Sequence, residues 1–89
     1  MRSRGVFQDR EVTQDIETAK KSYRLVDDAI SGIEWTLSHD PQAGIHREGP
    51  YWVYAQKGFK VHRIPEIVVL YSFTDDDVTL HAIMFRNAE

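Results

Sequence analysis

The sequence predicts an α+β domain: an N-terminal helix or helical hairpin packed on one face of an antiparallel sheet of three to four strands. Two observations predict it. Apolar residues recur every three to four positions between Val12 and Leu37, and the period changes to two after Tyr51. The apolar segments of the second half are joined by short turns, and short turns make neighbouring strands antiparallel. At 89 residues without cysteine, the chain suits one domain with one modest core. Disulfide scaffolds, zinc ribbons and thiol nucleophiles are excluded.

The elements follow in order. Residues 1–11 are expected to be mobile or to hold an edge strand around Val6 and Phe7. The segment 12–39 is helical: Val12, Ile16 and Ala19 begin an apolar stripe that Tyr23, Val26, Ile30, Ile33 and Leu37 continue, with Ala29 and Trp35 widening it. Thr13 and Ser22 are the candidate N-caps of a hairpin broken near Lys20-Lys21-Ser22; one long helix also fits. Gly32 lowers helix propensity by about 1 kcal/mol, either as a tolerated cost or to admit a strand close by. Asp40-Pro41 ends the helical run, because a residue preceding proline disfavours the helical region. A loop over 41–50 is punctuated by Pro41, Gly44, Gly49 and Pro50. Strands are then expected at 51–55, 59–64, 67–74 and 78–85, a meander within 51–86. In the last, Val78, Leu80, Ala82 and Met84 share one face, and Thr79, His81, Ile83 and Phe85 the other.

The composition is 42% hydrophobic and 28% charged, and the longest apolar run is Ile67 to Tyr71. That run is too short to span a membrane. No apolar stretch follows the charged start Met1-Arg2-Ser3-Arg4, so a soluble cytoplasmic protein is expected. The formal charge of −3 gives no global reason for nucleic-acid binding, but its layout is uneven. Within 45–64, Arg47, Lys57, Lys60 and Arg63 stand against Glu48 alone, a net +3. Within 65–89, Arg86 stands against Glu66, Asp75, Asp76, Asp77 and Glu89, a net −4.

Catalytic motifs are few. No phosphate-binding glycine loop, nucleophile elbow or helical pair of histidines is present. The histidines at 39, 46, 62 and 81 are scattered, so no metal is expected, and nothing calls for a cofactor. Asp75-Asp76-Asp77 reads as a solvated hairpin tip. Lys60 and His62 alternate on the expected 59–64 strand, so both leave one face; histidine is suited to acid–base work and lysine to holding a phosphate. The bland alternative is an ordinary exposed sheet face. Tyr51, Trp52, Tyr54 and Phe59 interleave with the basic residues, a pattern that suits base stacking or, equally, cross-strand core pairs.

The run from Phe59 to Tyr71, with its two alternating basic residues, turn and apolar strand, resembles the central hairpin of the RelE/ParE toxin superfamily. Asp75 to Ile83 resembles that family's acidic turn and final strand, with Arg86 at the place of a basic residue beyond it. Ala29 to Pro41 resembles its second helix, and the likeness spans about residues 12–86. It implies a helical hairpin on a curved antiparallel sheet and a role as the toxin-like member of a bacterial type II toxin–antitoxin pair. An antitoxin peptide or protein would be the partner. For the RNA-cleaving members the target is messenger RNA on the ribosome, cut without metal by attack of the 2′-hydroxyl. His62 would then be the acid–base group, and Lys60, Arg63 and Arg86 would neutralise the transition state. The family's strand arginine aligns with Val68, which implies a degenerate site. The alternative on the same fold is a non-catalytic protein-binding module that has lost the toxin site. A third expectation is an unrelated α+β domain that forms a homodimer through an exposed edge strand.

Overall fold

The computed structural model describes residues 3–59 and 64–86. Its elements are strand β1 (Gly5–Gln8), helix α1 (Arg10–Ala19), helix α2 (Val26–His39), a 3-10 turn at Pro41–Ala43, and strands β2 (Ile45–Glu48), β3 (Tyr51–Gln56), β4 (Glu66–Phe73) and β5 (Asp77–Arg86). The α+β class and the helical hairpin stand. The sheet has five strands in the order β1-β5-β4-β3-β2, and it is mixed: β1 runs parallel to β5.

The expectation of a purely antiparallel sheet fails because the whole helical hairpin lies between β1 and the rest. A long connection frees a strand from the antiparallel rule that governs short turns. β1 therefore joins β5 at the far edge, with Val6 opposite Val78 and Gln8 opposite Leu80. Polar contacts hold it there. The Arg4 amide donates to the Ser38 carbonyl at 2.9 Å, and Gln8 Nε2 donates to Glu34 Oε2 of α2 at 2.9 Å.

The apolar stripes behave as their spacing predicts. Val12, Ile16 and Ala19 of α1 and Val26, Ile30, Ile33 and Leu37 of α2 meet Ile67, Val69 and Tyr71 of β4 and Val78 and Leu80 of β5 in one core. Trp35 lies outside the stripe, 64% exposed, and stacks on the His39 ring at 4.3 Å instead. The expected caps also shift. α1 begins after Asp9 rather than Thr13, and α2 begins after Leu25 rather than Ser22. Residues 20–25 instead make the turn of the hairpin. Lys20 bonds Glu17 and Asp27 there, and those two carboxylates hold its ammonium pKa above the ordinary lysine value. Gly32 has no heavy atom within 4 Å of where a Cβ would stand, so no strand approaches it.

Two strand expectations are corrected. β2 occupies part of the expected 41–50 loop. It is an edge strand, exposed at every residue, so burial leaves no apolar alternation in Ile45-His46-Arg47-Glu48. Gly49, at φ 55°, and Pro50 close its hairpin with β3. Residues 60–63 of the expected strand at 59–64 lie outside the described residues, and its two described ends, Phe59 and Ile64, pair with each other. The Phe59 amide donates to the Ile64 carbonyl at 2.8 Å and the Ile64 amide to the Phe59 carbonyl at 3.0 Å, so the two ends face each other. A Cβ on Gly58 would collide with the Ile64 carbonyl and stand 2.6 Å from the Glu66 amide nitrogen, which explains a glycine at this crossing.

β5 carries the main irregularity. Tyr71 pairs with Leu80 and Leu70 with Ala82, leaving His81 as an extra residue, a β-bulge. The strict alternation expected for 78–85 therefore breaks. Val78 and Leu80 point into the core, and after the bulge Ile83 and Phe85 take over the inward positions while Ala82 and Met84 face out.

Tyr71 ties the sheet to the loop after α2. It is fully buried; its hydroxyl donates to the Pro41 carbonyl at 2.6 Å and accepts from the Gly44 amide at 3.2 Å. Gly44 must be glycine here, since a Cβ would stand 2.6 Å from that hydroxyl and collide with the Val53 carbonyl. Among the described residues no helix is long and apolar enough to cross a membrane.

Two predictions follow from this packing. Tyr71→Phe should cost about 1–3 kcal/mol in chemical denaturation, because the Pro41 carbonyl and Gly44 amide lose their buried partner. Burial raises the Tyr71 pKa, the Asp40 charge adds to this, and the Gly44 bond opposes it. The folded chain thus holds the phenolic proton more tightly than the unfolded one. That stability is complete below about pH 10 and is lost as pH rises through the folded pKa; the phenylalanine variant should lack this alkaline slope. Gly32→Ala, on an open helix position, should raise stability by about 0.5–1 kcal/mol, read from the same denaturant midpoints.

Candidate functional site

Both helices cover one face of the sheet. The opposite face is open, and the pairing registers show what occupies it. Val53, Leu70 and Ala82 form one cross-strand row, and Ala55, Val68 and Met84 the next. Ile45 stands beside Val53, and Phe7 lies on β1. Phe7, Ile45, Tyr51 and Met84 are all at least 43% exposed.

The charges separate along the strands. Asp75, Asp76 and Asp77 lie at the turn between β4 and β5, and Asp9, after β1, lies level with Leu80, midway along β5. At the other end, Arg86 pairs in register with Glu66, and Lys57 follows the end of β3. Ile64 precedes β4 at this same end. Arg86 Nε stands 3.6 Å from Glu66 Oε1, so its charge is partly met by a half-exposed carboxylate. Arg86 is thus placed, on the open face with Met84 as its spacing predicts. Lys60, His62 and Arg63 lie outside the described residues. Arg86 is five positions along β5 from His81, roughly 16 Å, so these two do not share a site.

The structure brings together three residues that the sequence reading kept apart. Ser72 follows buried Tyr71 on β4 and so faces outward. His81 follows buried Leu80 and so faces outward too; the bulge then sends Ile83 and Phe85 inward, so His81 does not share their face as expected. His81 Nε2 lies 2.7 Å from Ser72 Oγ, and His81 Nδ1 lies 3.1 Å from Asp9 Oδ2. The edge of the Tyr51 ring closes one side of the imidazole, with ring centres 5.5 Å apart. Asp9 is held by its backbone: its amide donates to the Leu80 carbonyl at 2.9 Å, and its carbonyl accepts from the Thr13 amide at 3.2 Å. It sits at the N-cap of α1 yet makes no side-chain cap. Its carboxylate bonds the histidine instead.

The chemistry of this chain of groups is directional. An ionised carboxylate can only accept, so neutral His81 carries its proton on Nδ1. Nε2 is then bare and accepts the Ser72 hydroxyl proton. That is the arrangement in which an imidazole can activate a hydroxyl. One sequence signal pointed to it: Ile83 and Phe85 are larger apolar residues than Ala82, and the two of them continue Val78 and Leu80 only if one residue is skipped.

The other described histidines serve the fold. His39 Nδ1 lies 2.8 Å from the Trp35 carbonyl, and His46 Nε2 bonds the Gly49 carbonyl at 2.8 Å across the β2–β3 turn. Among the described residues no group of three histidine or acidic side chains could hold a metal ion. Trp52 and Tyr54 pack against the core, so they are not free to stack bases. A separate open cleft of about 320 Å³ lies between α1 and the inner side of β5, lined by Asp15, Ser22, Tyr23, Ile83 and Phe85 among others.

The tautomer is directly measurable. Imidazole nitrogen shifts of the neutral ring should show His81 in the Nδ1–H form, and Asp9→Ala should convert it to a mixture. An unchanged Nδ1–H signal in the variant would mean that Asp9 does not set the tautomer.

No protein-family model, curated protein or solved structure matches the chain.

Proposed function

We propose that this chain is the toxin-like member of a bacterial toxin–antitoxin pair, acting on RNA from the basic end of its sheet. The observation that carries this reading is the separation of charge along the strands. Lys57 and Arg86 stand at the end where Ile64 enters β4, and the acidic turn Asp75–Asp77 stands at the other. A polyanion is drawn to the first end and repelled from the second. Lys60, His62 and Arg63 lie in sequence between Phe59 and Ile64, which pair with each other at that end. In this reading His62 moves the proton of the attacking 2′-hydroxyl, and Lys60, Arg63 and Arg86 offset the growing phosphate charge. Glu66, beside Arg86, weakens the arginine's pull, in keeping with the degenerate site that Val68 implies.

A second reading has its own observation. The open face presents Ile45, Val53, Leu70 and Met84 as a contiguous apolar surface, and such surfaces on small proteins are commonly covered by a partner. An antitoxin-like polypeptide laid across it would make the chain a binding module without catalysis.

Induced expression in a bacterial host, with and without the product of the neighbouring gene, tests the first reading. Growth should stop only when the chain is expressed alone, and His62→Ala should restore growth. Unaffected growth in both arms would overturn the toxin reading. Co-purification of the neighbouring product without RNA cleavage would leave the binding module standing.

A further inference from the structure

We propose that Ser72 is an acyl-accepting nucleophile, with His81 as its base and Asp9 as the orienting group, and that its substrates are small neutral carboxylic esters with an apolar acyl part. The geometry of the three side chains carries the assignment. Ser72 Oγ and Asp9 Oδ2 occupy the two ends of one imidazole, at 2.7 and 3.1 Å. That relation between hydroxyl, histidine and carboxylate is recognised by geometry rather than by position in the sequence. Here the three come from β4, the β5 bulge and the junction of β1 with α1.

The surroundings define the substrate. Leu70 lies two residues from Ser72 on the same face, flanked in register by Val53 and Ala82, so an acyl chain has apolar surface beside the hydroxyl. Asp9 and the nearby Asp75–Asp77 turn disfavour an anion, which sets this site apart from the basic end of the sheet. Thr79 stands directly across from Ser72 in the β4–β5 register and puts a second hydroxyl on that face as a donor for the oxyanion.

The reaction balances without any other reagent. Ser72 Oγ bonds to the ester carbonyl carbon while its proton moves to His81 Nε2. The carbon–oxygen bond to the alcohol then breaks, and the departing oxygen takes that proton. Water attacks the acyl-serine with His81 again accepting and returning a proton, releasing the carboxylic acid and restoring Ser72. The net change is ester plus water to acid plus alcohol.

The test is labelling of the full chain with an alkyl fluorophosphonate, in which the serine oxygen displaces fluoride from phosphorus. Intact mass should show one adduct per chain, and fragmentation should place it on Ser72. The adduct should vanish in Ser72→Ala and form about 100-fold more slowly or worse in His81→Gln. It should also form more slowly in Asp9→Asn, a change at an exposed side chain that does not threaten the core. Far-ultraviolet circular dichroism shows that each variant is folded. No adduct on folded protein, an adduct on another residue, or an unchanged rate in His81→Gln would overturn the proposal. The toxin reading rests on other residues, so growth arrest without labelling, or labelling without growth arrest, separates the two.

Discussion

One extra residue in the last strand governs both faces of this molecule. The bulge at His81 shifts β5 by one position relative to β4. Because side chains alternate with a period of two, a single insertion exchanges the faces of every residue after it. Ile83 and Phe85 thereby reach the helical layer, and Ala82, Met84 and Arg86 move to the open side. Without the bulge, Ile83 and Phe85 would be stranded in water and the charge of Arg86 would face the core. His81, following buried Leu80, faces outward beside Ser72 at the point of the insertion. The bulge thus lies beside the candidate site, in keeping with the concentration of bulges near functional sites.

The second member of this arrangement is β1. Its parallel pairing with β5 carries Asp9 to His81 across 72 positions of sequence. Such pairing closes a long loop, which costs chain entropy before any contact returns it. The helical hairpin that fills the loop supplies the compensation by burying two apolar stripes against the sheet. At the junction, Asp9 gives up a favourable helix cap to hold a histidine. A local rule broken where three elements meet is what a functional site leads one to expect.

Tyr71 does for the interior what His81 does for the surface. Its ring belongs to the core, and its hydroxyl satisfies the Pro41 carbonyl and Gly44 amide in the loop leaving α2. It thereby fixes where the chain turns into β2 and β3, whose outward residues complete the open face. The acidic turn Asp75–Asp77 and the basic end around Lys57 and Arg86 then lie at opposite ends of one sheet, with Asp9 and His81 between them. The length of the strands keeps these opposite charges apart.

The sequence alone determined the elements whose apolar residues keep a regular period over several turns: the stripes of α1 and α2, the helix stop at Asp40-Pro41, and the apolar strand at Ile67–Phe73. Burial on one side writes that period into the residues themselves. β2 was not legible because an edge strand exposed on every residue has no face to mark. The parallel place of β1 was not legible because four residues carry no record of which distant strand they pair with. For the candidate site, strand period put Arg86 on one face with Met84 but could not say that this face is the open one, and Ser72, His81 and Asp9 could not be grouped. Their meeting depends on a register shift between β4 and β5 and on a pairing across 72 residues. Both arise from the fit of whole elements against one another, and only the tertiary structure decided them.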